Sequence, residues 1–136
     1  MKRLFNVIAI VAFMLIAILF WQLNNKQSSN SGQKVMIYQL EGKNYRLLVA
    51  DEPSEWEIGL MYQRKLEGVD GMIFIFPESA YQHFWNKNTY MDLDLYWIDN
   101  KEVKGRSELP SIEKTKKIVT VNSPDKVDTV IELPKK

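Results

Sequence analysis

The sequence predicts an all-β domain that follows a membrane-spanning segment. Roughly seven or eight short apolar runs, several of them alternating apolar and polar residues, are separated by Gly, Pro, Asn and Asp, a pattern typical of strands and turns. Only one stretch has a convincing helix start, and no alternation of strands and helices indicates a parallel sheet. These features predict a mainly antiparallel sandwich or barrel with one short helix.

The predicted strands are, in order, residues 35–40, 45–50, 72–76, 81–85, 93–98, 102–109, 118–121 and 127–133. The first two should form a hairpin, because Gly42 and Asn44 lie between them. The third, from Met72 to Phe76, is apolar on both faces and is therefore expected at the centre of a sheet. In the last strand Thr129 and Ile131 are expected to share one face.

The one predicted helix begins near Pro53, which suits a first turn. Asp51 can cap it, and the acidic residues that follow favour the positive end of the helix dipole. Gly59 comes early, so we expect a short helix that ends near Met61 and Tyr62.

Residues 1–21 predict an N-terminal transmembrane helix. A basic head is followed, from Leu4 to Trp21, by a stretch whose only clearly polar residue is Asn6. That stretch would rise roughly 27 Å as a helix, close to the ~30 Å hydrocarbon core of a bilayer. It also lacks the polar stripe of a helix packed on a soluble core.

A cleaved signal peptide and an uncleaved anchor are the two interpretations of this segment. Cleavage requires small residues soon after the apolar run, whereas the residues from Ile18 to Asn24 are large. We therefore expect a single-pass anchor in the cell membrane, with the basic head in the cytoplasm and the C-terminal domain outside it. Residues 22–34 are polar and predict a flexible linker, and residues 35–136 form the predicted β-domain.

Composition excludes several classes of function. The chain has no cysteine, so it has neither disulfides nor a thiol for catalysis. Three of the 18 basic residues, Lys2, Arg3 and Lys26, precede residue 34, whereas all 17 acidic residues follow it, which leaves the domain with a formal charge of −2. No nucleic-acid partner is therefore expected. The sequence also contains no nucleophile motif and no Gly-rich phosphate loop.

Several short blocks occur in one order along the chain: Gly59-Leu60-Met61, Gly71-Met72, Phe84-Trp85, Lys87-Asn88-Thr89, Leu93-Asp94 and Val130-Ile131-Glu132-Leu133. In these blocks the sequence resembles DUF192, a widespread bacterial and archaeal family of unknown function. The resemblance implies a small jelly-roll-like sandwich or barrel, often behind a signal or anchor, and no established reaction. The family pattern usually has Met where this chain has Asn86, and Pro where it has Asp92.

The candidate ligand-binding residues are Arg64, Trp85, Lys87, Asn88, Thr89 and Asp94. In the functional interpretation the five polar residues of this set converge in a pocket beside Trp85, and Arg64 and Lys87 hold an anionic or hydroxylated ligand. In the structural interpretation Asp94 pairs with Arg64 or Lys87, and the two residues after Lys87 cap their loop. Ion pairs and capped loops occur for structural reasons alone, so both interpretations stay open.

Two further groups of residues carry hypotheses. Asp92, Asp94 and His83 could divide acid and base roles or hold a divalent cation, although their spacing matches no known ligand motif. An aromatic cluster could stack on envelope sugars or simply fill the core; its members are Tyr81, Phe84, Trp85, Tyr90, Tyr96 and Trp97.

The sequence thus favours a membrane-tethered, outward-facing, non-catalytic module that binds a small polar ligand or an envelope component such as a glycan. We expect no cofactor and no metal. One alternative is a hydrolase-type or metal-dependent enzyme that uses Asp92, Asp94 and His83. The other is a structural module that docks a partner.

Overall fold

A six-stranded sheet forms the centre of the domain in this computed structural model, which describes residues 32–135. The strands are β1 (Val35–Leu40), β2 (Lys43–Ala50), β3 (Gly71–Ala80), β4 (His83–Trp85), β5 (Leu93–Asp99), β6 (Glu102–Leu109), β7 (Thr120–Asn122) and β8 (Val127–Pro134). The helices are α1 (Pro53–Ile58) and α2 (Ile112–Thr115). The described residues are therefore mostly β-sheet with short helices, as the sequence predicts.

The strand order of the large sheet is β1-β2-β3-β8-β5-β6, and β4 pairs with β7 in a second sheet. Strands β2 and β3 run parallel, whereas every other pair among the described strands is antiparallel. A parallel pair requires a crossover connection rather than a tight turn, and residues 51–70, which include α1, supply it. The sequence interpretation missed this one strand–helix–strand unit because α1 is so short.

The central strands bury both of their faces. Met72, Phe74, Leu95, Trp97 and Val130 lie on one side, which we call the aromatic face. The other side, which we call the opposite face, carries residues that alternate with these along the same strands: Ile73, Tyr96, Ile98, Ile131 and Leu133. The sequence prediction that residues 72–76 form a central, doubly buried strand is confirmed.

Different elements pack against each face. Trp56 of α1, with Phe84 and Val121 of the small sheet, packs on the aromatic face. On the opposite face, Met36 and Tyr38 of the edge strand β1 pack against the buried cluster. The core is therefore divided by the large sheet, and the small sheet and α1 lie on the same side of it.

Helix α1 differs from its prediction at both ends. Asp51 does not cap the helix but pairs with Lys34 at 2.8 Å, and the Glu55 carboxylate accepts hydrogen bonds from the backbone N–H groups of Asp51 and Glu52. The helix ends at Ile58 because Gly59 adopts a φ of 49°, a left-handed conformation that stops the helix and suits glycine.

Other boundaries also shift. Strand β3 does not end at Phe76, as predicted, but continues through Pro77 to Ala80. The strands predicted at 81–85 and 118–121 are shorter or displaced, since their paired residues are 83–85 and 120–122. Helix α2 was not predicted, because four residues are too few for a helical period; Ser111 caps it by accepting a hydrogen bond from the Lys114 N–H.

Within residues 32–135 we find no helix with the length and apolar character needed to cross a membrane. The predicted transmembrane helix, residues 1–21, and most of the predicted linker lie outside the described residues.

Candidate functional site

A pocket of about 100 Å³ lies on the aromatic face, between α1, β3, β4 and β8. Its walls include five aromatic side chains, those of Trp56, Phe74, Phe76, Phe84 and Trp85. We call it the Glu132 pocket, after the acidic residue that lines it. Ile58 and Trp85, which are exposed, belong to its lining and mark the solvent side.

Glu132 reaches the pocket because of its register in β8. Val130 and Glu132 alternate with Ile131 and therefore point to the aromatic face. Glu132 is only 4% exposed, and its Oε2 atom is buried without a hydrogen-bond partner among residues 32–135. Burial raises the pKa of the Glu132 carboxyl to about 8, so the group is mostly protonated at neutral pH.

Gly59 contributes the space next to that carboxyl. A Cβ atom at this position would lie 3.8 Å from Glu132 Oε2 and 3.1 Å from Phe74 Cζ. The positive φ of Gly59 also disfavours other residues there. A residue that ends α1 thus also keeps the pocket open.

The aromatic walls are held in fixed positions. The indole Nε1–H of Trp56 donates to the Ala50 carbonyl at 3.0 Å, and its ring centroid lies 5.2 Å from that of Phe76. Phe74 and Phe84 meet edge to face at 4.8 Å. Such contacts favour one arrangement of the rings, so the pocket is largely formed by the fold itself.

Two of the predicted ligand-binding residues line this pocket, namely Trp85 and Thr89. A third, Lys87, places its Nζ atom 4.9 Å from the centroid of the Trp85 ring. Thr89 is buried, and its backbone N–H donates to the Asn86 carbonyl at 3.0 Å. The Thr89 hydroxyl donates to the Lys87 carbonyl at 3.3 Å, so this side chain caps its own loop as the structural interpretation expects. The Asn88 side chain does not, because it bonds to Tyr62.

Arg64 and Asn88 act on neighbouring loops. The Arg64 guanidinium pairs with Glu113 at 2.8 Å and lies over the Tyr90 ring. The Asn88 side-chain amide donates to the Tyr62 hydroxyl at 2.8 Å. Neither side chain lines the Glu132 pocket.

Asp94 lies on the opposite face, because it alternates with Leu93 and Leu95 of the aromatic face. It pairs with Arg106 at 2.6 Å, so the expected ion pair with Arg64 or Lys87 is wrong. The predicted convergence of the five polar residues beside Trp85 is also wrong, since the central sheet separates Asp94 from the pocket.

The large sheet also separates two members of the predicted catalytic group, His83 and Asp94. His83 lines the Glu132 pocket, whereas Asp94 faces away from it. Asp92 accepts a hydrogen bond from the Ser111 N–H, which lowers the pKa of its carboxyl below the ordinary value. Among residues 32–135, no cluster of three or more His, Cys, Asp or Glu side chains could hold a metal ion.

The aromatic cluster of the sequence also divides. Trp97 is fully buried on the aromatic face and Tyr96 is buried on the opposite face, so neither belongs to a surface platform. Tyr81 and Trp85 remain exposed, Trp85 at 43%.

Most of the chain matches a known family. The model of the family DUF192, described as "Uncharacterized ACR", matches residues 36–136. The chain belongs to the DUF192 family. No curated protein matches it.

Two solved structures resemble this DUF192 domain. One, from Sinorhizobium meliloti 1021 and described as a "putative transcription regulator", is 30% identical, with a TM-score of 0.59 over 75% of this chain and 79% of that one. The other, a protein of unknown function from Novosphingobium aromaticivorans DSM 12444, is 19% identical, with a TM-score of 0.64 over 78% of this chain and 77% of that one. The second likeness supports the fold alone.

The two departures from the DUF192 pattern both hold the segment 110–119. Asn86 is fully buried; its side chain donates to the Pro110 carbonyl at 2.9 Å and accepts from the Val119 N–H at 2.7 Å. Asp92 accepts from the Ser111 N–H at 2.8 Å. In this DUF192 member, these polar residues fasten the connection between β6 and β7.

Glu132 is the site residue that sequence reasoning missed. It lies within a block that carries the DUF192 resemblance, but the predicted apolar face of β8 contains Thr129 and Ile131, and Glu132 lies on the alternate face. The available signal was Val130, an apolar neighbour on that same face in a strand whose other face is also apolar.

A second depression, of about 340 Å³, lies on the opposite face beside Tyr38, Ile73 and Asp128. Although it is larger, its acidic group already accepts a hydrogen bond from the Asn100 N–H. The Glu132 pocket is therefore the better candidate, because it combines enclosing rings with a buried carboxyl that lacks a partner.

Proposed function

We propose that this DUF192 domain is a non-catalytic module that binds a small ligand in the Glu132 pocket. The observation that supports the proposal is the buried, unpartnered Oε2 atom of Glu132 within an aromatic-lined cavity. An unsatisfied buried polar group costs roughly 1–3 kcal/mol of stability. A ligand that bonds to it would offset that cost, and apolar pockets with a few convergent polar groups are typical of small-molecule sites.

The proposal keeps part of the predicted residue set and adds to it. Trp85 and Thr89 stay as lining residues, Lys87 stays as a contact of the Trp85 ring, and Glu132 becomes the principal polar contact. Arg64 and Asn88 are assigned to holding the adjacent loops, and Asp94 is left out because it lies across the sheet.

Pocket size limits the ligand. A cavity of about 150 Å³ accommodates benzene, so a pocket of about 100 Å³ that opens to solvent beside Ile58 and Trp85 takes a small molecule that partly protrudes, or one substituent of a larger one. An envelope glycan would fit this proposal by stacking on the exposed Trp85 ring and inserting one small group.

The proposed location is the outer surface of the cell membrane, with residues 1–21 as an uncleaved anchor. The support is the apolar run of the sequence together with its basic head. Alkaline extraction of membranes should leave the full-length chain in the pellet, and protease added to intact spheroplasts should remove the domain. Release by alkali, or full protection from the protease, would contradict this placement.

The binding proposal is tested by a small-ligand screen that monitors the melting temperature. Compounds that stabilise the wild type should stabilise Glu132→Gln and Trp85→Ala much less. Asp94→Asn, on the opposite face, is the matched control and should respond as the wild type does. If the active compounds stabilise all four proteins equally, or if no compound stabilises the wild type, the pocket is not the binding site.

One observation favours a second candidate, a general acid. A carboxyl whose pKa is about 8 carries a proton at neutral pH, and raised pKa values of this kind occur in catalytic sites. His83 lines the same pocket. This enzyme candidate replaces the group of Asp92, Asp94 and His83, and chemical conversion of a screened compound, followed by NMR, would distinguish it from simple binding.

A further inference from the structure

We propose that the ligand of the Glu132 pocket is a small organic cation, either an amine or a methylated ammonium; this inference rests on the proposed function. The carboxylate of Glu132 would supply the counter-charge. The surrounding rings of Trp56, Phe74, Phe84 and Trp85 would contact the alkyl groups.

Charge in the pocket favours a cation. Its titratable lining residues are Glu57, His83 and Glu132, and no lysine or arginine of the described residues lines it. An anion would therefore meet a buried carboxyl without a positive group to balance it, and burying an unpaired charge is strongly unfavourable. A cation would instead pair with Glu132, whose Oε2 has no other partner among the described residues.

The aromatic walls favour the same ligand class. Ring faces carry partial negative charge and attract cations, and enclosures of several rings are a recognised binding mode for quaternary ammonium groups. The protein already shows this attraction at the pocket's edge, where the Lys87 ammonium lies over the Trp85 ring at 4.9 Å. The Trp85 ring, which lines the pocket, thus already contacts one cation of the chain.

Binding should be coupled to proton release. The Glu132 carboxyl is protonated at neutral pH because burial raises its pKa to about 8, whereas an ion pair requires the carboxylate. A permanently charged ligand should therefore bind about tenfold more tightly for each pH unit up to that value, and no more tightly above it. Glu57 and His83 are the other titratable groups that face the pocket, so each needs its own control variant.

The probes are tetramethylammonium, its uncharged counterpart tert-butanol, and acetate. Binding to the full-length chain is followed by tryptophan fluorescence and calorimetry between pH 6 and 9. We expect tetramethylammonium to bind at least tenfold more tightly than the other two probes at pH 8.5. Its affinity should fall at least tenfold in Glu132→Gln and be little changed in Asp94→Asn, and its pH dependence should persist in His83→Gln and Glu57→Gln.

Trp85→Leu provides a second test if Glu132→Gln folds poorly, because Trp85 is partly exposed and outside the buried core. This variant should also weaken tetramethylammonium binding. If tert-butanol or acetate binds as tightly as the cation, the ligand class is overturned while the pocket remains a binding site. If tetramethylammonium does not bind, or binds Glu132→Gln and Trp85→Leu as well as the wild type, this inference falls, and the wider screen decides the proposed function separately.

Discussion

Gly59 lies beside the carboxyl group of Glu132, and a Cβ atom on Gly59 would come within 3.8 Å of Glu132 Oε2. These residues belong to a helix terminus and a central strand far apart in the sequence. Their approach joins two requirements in one position, because Gly59 must end α1 with a positive φ and must also leave room above the acid. The pocket therefore depends on the conformation in which Gly59 ends α1, the helix of the crossover between β2 and β3.

Gly59→Ala should impair both stability and binding. The new methyl group would press on the Phe74 ring, 3.1 Å away, and would occupy space next to Glu132. We expect a loss of about 1–3 kcal/mol of unfolding free energy, measured by urea denaturation, and weaker binding of any ligand found in the screen. Gly68→Ala is a matched control, since Gly68 also has a positive φ but no atom lies near its Cβ position; equal binding by both variants would show that Gly59 does not shape the pocket.

Stability should fall as the pH rises through the interval set by Glu132. The pKa of its carboxyl is about 8 in the folded protein, against an ordinary value of 4.5, so the folded state retains a proton that the unfolded chain has lost. The contribution of Glu132 to the free energy of unfolding is therefore largest below pH 4.5. It decreases by about 1.4 kcal/mol for each pH unit between pH 4.5 and about pH 8.

This contribution is isolated by comparison with Glu132→Gln, which cannot ionise. Relative to the wild type, the melting temperature of Glu132→Gln should rise by roughly 5–10 °C for each pH unit between 5 and 8. Parallel curves for the two proteins would show that Glu132 is not a buried acid with a raised pKa.

Asn86→Ala should be among the most destabilising substitutions outside the apolar core. It removes the partner of the Pro110 carbonyl and of the Val119 N–H, in a position that is fully buried. We expect a loss on the order of 3 kcal/mol in chemical denaturation. Asn86→Met, which restores the usual family residue, should not recover this stability, because its side chain cannot replace either bond; full stability in Asn86→Met would contradict the role assigned to Asn86.

Arg64→Ala should leave the unfolding midpoint nearly unchanged. Its ion pair with Glu113 is well exposed, since the side chains are 66% and 48% accessible, and solvent-exposed pairs contribute little. Ligand binding should also be unchanged, because Arg64 does not line the pocket. A clear loss of binding in Arg64→Ala would show that Arg64 contributes to the site, as the functional interpretation of the sequence expects.

Local patterns in the sequence were sufficient for most of the fold. Alternation identified the positions of the strands, and the doubly apolar run from Met72 to Phe76 indicated a central strand. The parallel pairing of β2 and β3 could not be read in the same way, because it depends on a crossover of residues 51–70 whose helix is too short to show a period.

The site was harder to predict, because it depends on which strands become neighbours. The sequence predicts Trp85 and Thr89 as ligand-binding residues, and both line the pocket. Glu132 looks like an ordinary surface acid until β8 is known to lie between β3 and β5, where both of its faces are buried. Asp94 was misassigned because its partner, Arg106, comes from the adjacent strand of a hairpin, and several other basic residues were equally available in sequence.

The most direct test of this account is a carbon-13 NMR titration of the Glu132 carboxyl, assigned with Glu132→Gln, in the presence and absence of tetramethylammonium. The account predicts a titration midpoint near 8 in the free protein and a lower midpoint once the cation is bound. A midpoint near 4.5 that does not respond to the cation would show that Glu132 is an ordinary exposed acid and that the pocket has no such function.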